Sequence, residues 1–424
     1  MNGGVLPLSS IARALGCALA AAVLLAGCAT QSPRPVEALA CPPAQTPVCP
    51  APAAPAPVPI PPPPVDYRGH LQPAPWSALP NWGSESLRPS LEAFARGCPV
   101  LEKQDVWKAP CAGAQTLLAG ASEREIASFF ELNFDPQQVI NADDTDSGMV
   151  TGYYEPLLRG SRVKSARYRY PLYGVPPDLL TIDLSSVYPE LKHRRLRGRL
   201  EGSRVIPYYE RGDIERGAPA LQGSELAWVD DAVDSFFLHI QGSGQVELEN
   251  GERIRVGYAD QNGHPFRSLG RLLIQRGEIT PERASMQGIK DWARRNPRKV
   301  QEFLNANPSY VFFRELPREL PGPIGALGVP LSAERSIAVD PRVIPLGVPV
   351  YLETTWPNTA DPLNRLMVAQ DTGGAINGGV RADFFWGFGD AAGAQAGKMR
   401  QSGRMWVLLP KGYAPVQGAE PKAP

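Results

Sequence analysis

The chain has 424 residues, which leaves room for two domains once its ends are set aside. Its 43 Lys and Arg residues balance 43 Asp and Glu residues, so no overall electric field favours a nucleic-acid partner. Only four histidines are present and no Cys/His spacing is typical of zinc, so we expect neither a metal site nor a cofactor.

The N-terminus predicts an exported protein with a lipid anchor. Arg13 precedes an apolar run that is too short to span a bilayer comfortably and is typical of a signal peptide. The run ends in Leu-Ala-Gly-Cys28, which resembles the lipobox of bacterial lipoproteins, whose cysteine is acylated. We therefore expect residues 1–27 to be a signal peptide and Cys28 to carry lipid. Ala29, not aspartate, follows the cysteine, which by the bacterial sorting rule implies an outer-membrane anchor facing the periplasm.

A tether is predicted after this anchor. Residues 28–75 begin with the lipidated cysteine, and proline recurs through residues 32–64. Proline-rich segments are extended and semi-rigid, and they build no hydrophobic core. The folded part is therefore expected to begin near Trp76.

Helices are predicted at the start of the folded part. The apolar side chains between residues 87 and 95 share one helical face, and a second helix begins at Ser122, which forms a capping box with Glu125. The predicted compartment permits disulfides. A bond between Cys98 and Cys111 would tie these two neighbouring helical segments together.

Strands are predicted next. Residues 148–156 are rich in strand formers, and residues 236–241 predict a second strand that runs into a turn of small residues. Residues 245–249 and 252–256 alternate apolar and polar side chains around Asn250-Gly251. This pattern predicts a hairpin with a two-residue turn.

Two helices and a series of short strands complete the chain. Pro281 begins one helix with an apolar face, and residues 300–304 belong to another. After Ile324, short strands separated by Gly and Pro turns favour a small barrel or sandwich. These strands are predicted at residues 336–339, 348–352, 366–369 and 405–409.

Two aspartates in the C-terminal block are the candidate catalytic residues. Asp371 ends an apolar strand before the turn at Gly373-Gly374, where glycine permits positive φ values. Asp383 lies between Arg381 and an aromatic run. Apolar neighbours disfavour the charged form of a carboxyl, so Asp383 is expected to stay protonated near neutral pH and to act as an acid. Ordinary roles for both aspartates in turns are the alternative.

Four further residues are candidates for substrate contacts. Polar side chains near strand ends can donate and accept hydrogen bonds, and aromatic rings stack on the apolar faces of sugars. The candidates are Gln241, Ser243, Trp386 and Phe388. A purely structural role is the alternative for each of them.

Several long motifs, taken together, identify a family. They are Thr-Gly-Tyr-Tyr-Glu-Pro at 151–156, Phe-Leu-His-Ile-Gln-Gly-Ser-Gly at 237–244, Tyr-Ala-Asp-Gln-Asn-Gly-His at 258–264 and Asn-Pro-Ser-Tyr-Val-Phe-Phe at 307–313. With these motifs the chain resembles the membrane-bound lytic transglycosylase A family of bacterial cell-wall enzymes over roughly residues 87–410. Its C-terminal block resembles the three-aspartate domain, with Asp340, Asp371 and Asp383 at the positions of the named acids.

The resemblance implies a fold that is mainly β with peripheral helices (α+β). A double-psi β-barrel carries a second, mostly β inserted domain, and the substrate groove lies between them. The domain boundaries that we expect are residues 76–156 for the helices and first part of the barrel, 157–313 for the inserted domain, 314–412 for the second part of the barrel and 413–424 for a tail.

The resemblance also implies a chemistry. The family cleaves the β-1,4 bond between N-acetylmuramic acid and N-acetylglucosamine without water and leaves a 1,6-anhydromuramoyl end. Asp383 is then the single acid and base, and Asp371 is its close partner. The implied partners are peptidoglycan strands and the outer membrane, and cell-wall synthesis complexes are an open candidate. One departure is Asn377, where the family often has lysine, so that a cation near the turn is lost.

Other classes of protein remain as alternatives. Asp371-Thr-Gly is also the motif of aspartic proteases, and Asp146-Ser-Gly would be its partner in the other lobe. A non-catalytic peptidoglycan-binding lipoprotein would keep the groove and need no acid. A hydrolase would leave a reducing sugar end instead of an anhydro end.

Overall fold

The computed structural model describes residues 69–191 and 196–413. The predicted signal peptide, Cys28, all but the last residues of the tether and all but the first residue of the tail lie outside these ranges. Within them, no helix combines the length and the apolar character that crossing a bilayer requires.

Strands dominate the described residues. They are β1 (His70–Pro73), β2 (Phe134–Ile140), β3 (Gly148–Glu155), β4 (Leu157–Ser161), β5 (Tyr170–Tyr173), β6 (Leu180–Thr181), β7 (Arg197–Glu201), β8 (Arg204–Pro207), β9 (Glu225–Val229), β10 (Ser243–Leu248), β11 (Arg253–Gln261), β12 (Val311–Leu316), β13 (Ser336–Ala338), β14 (Pro349–Thr355), β15 (Pro362–Asp371), β16 (Arg381–Phe388) and β17 (Arg400–Pro410).

Helices lie between and around these strands. They are α1 (Arg88–Leu101), α2 (Asp105–Leu117), α3 (Glu123–Asn133), α4 (Arg211–Glu215), α5 (Ala232–Gln241), α6 (Leu269–Gln275), α7 (Met286–Arg295), α8 (Val300–Asn305) and α9 (Gly389–Ala396). The fold is therefore a mixture of sheets and helices in which β-structure leads, as predicted.

The largest sheet has eight strands in the order β1-β2-β17-β14-β15-β13-β16-β3. Strand β17 also pairs with β3, so the six strands from β17 to β3 close on themselves as a barrel. The pairs β13–β15 and β16–β3 are parallel, and the other pairs are antiparallel. Closure brings β3, from the first part of the chain, beside β16, from the last part.

A second sheet comes from the middle of the chain. Its six strands follow the order β12-β11-β10-β4-β9-β5, and β6, β7 and β8 form a separate three-stranded sheet. The chain enters this region between β3 and β4 and leaves it after β12. The six-stranded sheet has its own apolar core, which includes Leu158, Leu172, Val246 and Phe313.

Helix α1 packs on the barrel beside the end of β15. The hydroxyl of Ser90 donates to the carbonyl of Leu366 at 2.6 Å, and the buried amide of Gln370 donates to the carbonyl of Ala93 at 2.8 Å. These hydrogen bonds satisfy buried polar groups, and the loss of either bond would leave its buried groups unpaired and destabilise the fold. The two bonds fix the C-terminal part of β15, which ends at Asp371.

Several local predictions are confirmed. Ser122 and Glu125 form the capping box at the start of α3. Cys98 and Cys111 form a disulfide that joins α1 to α2. The hairpin around Asn250-Gly251 is present as antiparallel strands β10 and β11. The predicted turn of two residues is wrong, because β10 ends at Leu248 and β11 begins only at Arg253.

The prediction of a strand at residues 236–241 is wrong, because they belong to α5. The carboxylate of Asp231 caps this helix by accepting hydrogen bonds from the backbone N–H groups of Val233 and Asp234. Gly242, with a φ of 76°, ends it in the left-handed conformation that glycine adopts most easily. A helix with most of its faces buried has the same continuous apolar sequence as a buried strand, so periodicity alone did not separate the two.

The disulfide yields a first prediction. The double variant Cys98→Ala/Cys111→Ala should lose about 2–4 kcal/mol in its free energy of unfolding, since the bond closes a loop of moderate length in the unfolded chain. Urea unfolding of the oxidised protein measures the loss. Reductant should destabilise the wild type by a similar amount and leave the double variant unchanged. Equal stability of the oxidised wild type and the variant would show that the bond contributes nothing.

Candidate active site

Both candidate aspartates lie in one row across the barrel wall. Ala338 on β13 pairs with Asp371 on β15 and also with Asp383 on β16, and Asp383 pairs with Thr151 on β3. Residues paired directly across neighbouring strands project from the same face of a sheet. The two carboxyls therefore share a face, and the small side chain of Ala338 leaves the space between them open.

Strand alternation places an apolar floor beside this row. Tyr153 and Phe385 lie two residues beyond Thr151 and Asp383 and hence on the same face, with their ring centroids 5.1 Å apart. They form a buried cluster with Leu331, Ala338 and Ile376. An apolar surrounding of this kind weakens the hydration of nearby carboxyls.

Three donors hold Asp371. Its Oδ1 accepts from the backbone N–H groups of Thr372 at 2.9 Å and Ala326 at 3.0 Å, and its Oδ2 accepts from the hydroxyl of Tyr153 at 2.9 Å. Burial and the neighbouring carboxylates raise the pKa of Tyr153 well above its ordinary value, so the phenol remains a donor. Burial raises the pKa of Asp371, and the three donors oppose this rise.

Among the described residues, Asp383 has a single donor. Its Oδ1 accepts from the hydroxyl of Thr151 at 2.8 Å. Burial raises the pKa of Asp383 from 3.8 to about 6, against the opposing effects of the Thr151 hydrogen bond and the charge of Arg381. The charge of Asp371 adds to the rise. The residue nevertheless keeps part of its surface exposed.

The unequal number of donors separates the roles of the two carboxyls. Hydrogen bonds to an ionised carboxylate favour the ionised form, so a proton shared by the pair favours Asp383 over Asp371. Asp371 is thus suited to carry negative charge, and Asp383 is suited to hold and release a proton near neutral pH.

The structure corrects the prediction for Trp386. Its side chain is only 5% exposed and lies in the barrel core, where its indole N–H points to the sulfur of Met399 at 3.3 Å and its ring packs on Phe384 at 4.6 Å. Trp386 is three positions from Asp383, so strand alternation places it on the opposite face. It is not available for stacking on a substrate.

Of the other three candidates for substrate contacts, Phe388 and Gln241 keep exposed surface and Ser243 does not. Phe388 is 41% exposed and pairs with Glu155 at the end of β3. Gln241 accepts a hydrogen bond from the backbone N–H of Tyr154 at 2.9 Å, which joins the end of α5 to the barrel. Ser243 is buried at the start of β10. Their contacts with a substrate stay predictions.

Comparison with known proteins adds to this geometry. Residues 149–314 match the family model described as the MltA specific insert domain, and residues 335–409 match the 3D domain. The chain is 34% identical over 299 residues to membrane-bound lytic murein transglycosylase A of Escherichia coli K12, covering 69% of this chain and 73% of that protein. The chain belongs to this family.

Solved structures of the transglycosylase A family share the fold. The crystal structure of MltA from Neisseria gonorrhoeae matches with a TM-score of 0.70 and 40% identity over 81% of this chain and 93% of that chain. Escherichia coli MltA with bound chitohexaose matches with a TM-score of 0.60 and 28% identity over 81% of this chain and 94% of that chain. The resemblance inferred from the sequence motifs is thereby confirmed.

The geometry also bears on the aspartic protease alternative, which family membership disfavours. That alternative pairs Asp371 with Asp146. Instead, Asp146 accepts from the amide of Gln138 at 3.1 Å and lies 3.8 Å from Arg404. Asp383 is the carboxyl whose pKa responds to the charge of Asp371. The aspartate of this Asp-Thr-Gly sequence, Asp371, is therefore paired with Asp383 and not with Asp146.

A cation lies beside Asn377, where the transglycosylase A family often has lysine. The guanidinium of Arg342 donates to the side-chain oxygen of Asn377 at 3.1 Å and also pairs with the buried Asp340 at 2.5 Å. Asp340 also accepts from the backbone N–H of Gly378 at 2.8 Å. Asp340 therefore stabilises the turn after Asp371.

One group of potential metal ligands lies elsewhere in the protein. Over residues 69–191 and 196–413, one group of three or more His, Cys, Asp or Glu side chains is close enough together to share a metal ion, and it consists of Cys98, Glu102 and Cys111. The disulfide between the two cysteines removes both thiolates. This group is therefore unsuited to bind a metal in the oxidised protein.

Sequence reasoning missed the roles of Thr151, Tyr153, Arg381 and Ala338. All four surround the carboxyls, yet their relation to them depends on the pairing of β3, β13 and β16. Thr151 and Tyr153 are two residues apart on a predicted strand, and this spacing could have assigned them to one face. It would not have shown which carboxyl each contacts.

A second prediction concerns stability. The pKa of Asp383 is higher in the folded protein than in the unfolded chain, so the fold loses stability as the pH rises from about 4 to about 6, and above pH 6 the ionised carboxyl costs up to about 3 kcal/mol. Asp383→Asn should therefore raise the free energy of unfolding at pH 7.5 by about 1–3 kcal/mol and have little effect at pH 4. Urea unfolding at the two pH values measures this difference.

Asp371→Asn is the matched control for this prediction. An amide at position 371 cannot accept from all three donors as the carboxylate does, so this variant should be less stable than the wild type at pH 7.5. A loss of stability in Asp383→Asn at pH 7.5 would contradict the assignment of the raised pKa.

Proposed function

We propose that this chain is a peptidoglycan lytic transglycosylase that cleaves the β-1,4 bond between N-acetylmuramic acid and N-acetylglucosamine and forms 1,6-anhydromuramoyl ends. The carboxyl pair carries the proposal, because Asp383 is accessible, poor in donors and has a pKa near 6. Family membership and the chitohexaose bound by the Escherichia coli relative support a glycan substrate.

In the first step Asp383 acts as a general acid. Its proton passes to the glycosidic oxygen as the C1–O bond breaks and positive charge develops on the muramic sugar. Proton transfer from a positioned side chain typically accelerates such a step about 10²–10⁴-fold. A pKa near 6 suits this role, since the acid remains partly protonated near neutral pH.

In the second step the carboxylate of Asp383 acts as a base. It accepts the proton of the muramic C6 hydroxyl as that oxygen forms a bond to C1 of the same sugar. An intramolecular nucleophile has a high effective molarity, so no water molecule has to be activated. A second carboxyl placed to activate water, as hydrolytic glycosidases require, is therefore unnecessary.

Asp371 is proposed to tune the acid. Its three donors favour its ionised form, and its negative charge raises the proton affinity of Asp383. The same charge would stabilise positive charge on the sugar. Asp371 thereby acts on both the acid and the transition state without transferring a proton.

The substrate groove is proposed to lie between the barrel and the inserted sheet. We take the barrel to be the double-psi barrel of the family, in two parts (76–156 and 314–412) around an inserted domain (157–313). Three observations support this location: the exposed ring of Phe388, the contact between Gln241 and Tyr154, and the position of both carboxyls on one face of the barrel.

The chain is further proposed to work at the outer membrane, facing the periplasm. The lipobox-like sequence before Cys28 and the proline-rich tether support this location, as does the membrane-bound name of the relatives. A lipid on Cys28 would hold the enzyme at the membrane, and the tether would let it reach peptidoglycan and any synthesis complex there.

Product analysis gives a third prediction. Asp383→Asn should release less than about 1% of the anhydro-muropeptides that the wild type releases from purified sacculi, because the acid is lost. Mass spectrometry of the fragments identifies the ends. Asp361→Asn, at an exposed position, is the matched control and should retain full activity. Reducing ends in the wild-type products would indicate a hydrolase, and glycan binding without products would indicate a binding lipoprotein.

The pH dependence of activity gives a fourth prediction. Only the protonated form of Asp383 can donate, so kcat/KM should fall above about pH 6 and approach a tenfold loss per pH unit. Initial rates on sacculi between pH 4.5 and 8.5 measure the profile. A hydrolytic muramidase on the same sacculi controls for changes in the substrate. A rate that stays constant from pH 5 to pH 8 would exclude an acid with this pKa.

A further inference from the structure

We propose that Arg381 and Thr151 form a relay of two hydrogen bonds that keeps the acid proton of Asp383 on Oδ2, the oxygen that faces the substrate. Both are positioning residues that act through Asp383, and the inference rests on the proposed function. Beyond the proposed function, the inference specifies which of the two carboxyl oxygens transfers the proton and which residues select that oxygen.

The direction of the relay follows from hydrogen-bond chemistry. The hydroxyl oxygen of Thr151 lies 2.9 Å from Nη2 of Arg381 and 2.8 Å from Oδ1 of Asp383. A guanidinium carries only donors and keeps its charge in proteins, so Thr151 must accept from Arg381. Among the described residues, Oδ1 of Asp383 is the acceptor that this hydroxyl reaches, so the single hydroxyl hydrogen of Thr151 is directed to Oδ1.

A proton on Oδ1 would meet the hydrogen that Thr151 donates, so the proton of the neutral acid occupies Oδ2. Within the described parts of the chain, no hydrogen bond to Oδ2 is present, whereas Oδ1 has its donor. Oδ2 is not among the fully buried unpaired atoms of the described residues, so part of its surface is exposed. In this proposal, the oxygen that holds the proton is the one that meets the glycan.

Arg381 is held so that it orients the threonine without neutralising the acid. Its Nη1 donates to the carbonyls of Met149, at 3.3 Å, and Ala382. Arg381 and Asp383 are two residues apart on β16 and share a face, but Thr151 stands between their charged groups. A direct ion pair would lower the pKa of the carboxyl further and keep it ionised.

The same oxygen would then serve both steps of the reaction. In the first step the O–H bond at Oδ2 breaks, and the proton goes to the glycosidic oxygen as the C1–O bond breaks. Thr151 continues to donate to Oδ1 of the resulting carboxylate. In the second step Oδ2 accepts the proton of the C6 hydroxyl as the C6 oxygen bonds to C1. No proton has to move between the two oxygens.

A pH profile of the full-length enzyme tests the relay. Thr151→Val removes the hydroxyl at nearly constant volume, so the ionised form of Asp383 loses its donor. The pKa that limits kcat should rise by about one unit, and kcat at pH 5 should fall about tenfold, because the proton is no longer kept on Oδ2. Thr151→Ser keeps the hydroxyl and should restore the wild-type profile and at least about half of kcat.

A double-mutant cycle separates a relay from two independent contacts. Arg381→Met leaves the hydroxyl of Thr151 free to rotate, so this variant should shift the profile in the same direction as Thr151→Val. In a relay, the combined variant should be no worse than Thr151→Val alone. Additive losses in kcat would overturn the relay, because each residue would then act separately.

The remaining outcomes are distinguishable. If Thr151→Val and Arg381→Met keep the wild-type profile while Asp383→Asn is inactive, the relay is wrong and the proposed function stands. If Asp383→Asn is active, the proposed function itself fails. If Thr151→Val does not fold, Thr151→Ala provides the same comparison with Thr151→Ser, and circular dichroism of each variant verifies folding.

Discussion

A difference in hydrogen-bond donors between two neighbouring carboxyls is the constraint on which the site depends. From residues that the structure describes, Asp371 accepts three hydrogen bonds and Asp383 accepts one, although apolar protein surrounds both. Desolvation alone would raise both pKa values alike and leave the pair without distinct roles. The donors stabilise charge on Asp371, and that charge in turn favours a proton on Asp383.

The closed barrel creates this difference by bringing distant segments into register. Thr151 lies opposite Asp383 because β3 pairs in parallel with β16, and Tyr153 reaches Asp371 from the same strand. Ala338 separates the two aspartates, and a larger residue there would fill the space between the carboxyls. Strand alternation then divides the aromatic run, with Phe385 beside the site and Trp386 in the core.

The inserted sheet is attached to the barrel by buried polar contacts. Arg255 on β11 pairs with the fully buried Glu155 at 2.8 Å, just where the chain leaves the barrel. The same guanidinium donates to the carbonyl of Leu320, in the segment through which the chain returns. One side chain thus contacts both connections. Breaking such a buried pair leaves an uncompensated charge, so the contact resists separation of the two connections.

Local features of the chain were predictable because they depend on neighbouring residues. The capping box at Ser122, the helix over residues 300–304 and the hairpin strands around Asn250 follow from side-chain chemistry within a few positions. Residues 236–241 were assigned wrongly because an apolar run suits a buried helix and a buried strand equally. The motifs identified the family, and the aromatic neighbours of Asp383 predicted its raised pKa.

The sequence by itself therefore determined the family, most of the local elements and the candidate for the acid. Only the tertiary structure decided what surrounds that acid: Thr151, Tyr153 and the alignment of both aspartates on either side of Ala338. Strand register is the physical reason. A pairing between segments more than two hundred residues apart is set by the packing of the whole barrel, and a shift of one residue would turn every side chain to the opposite face.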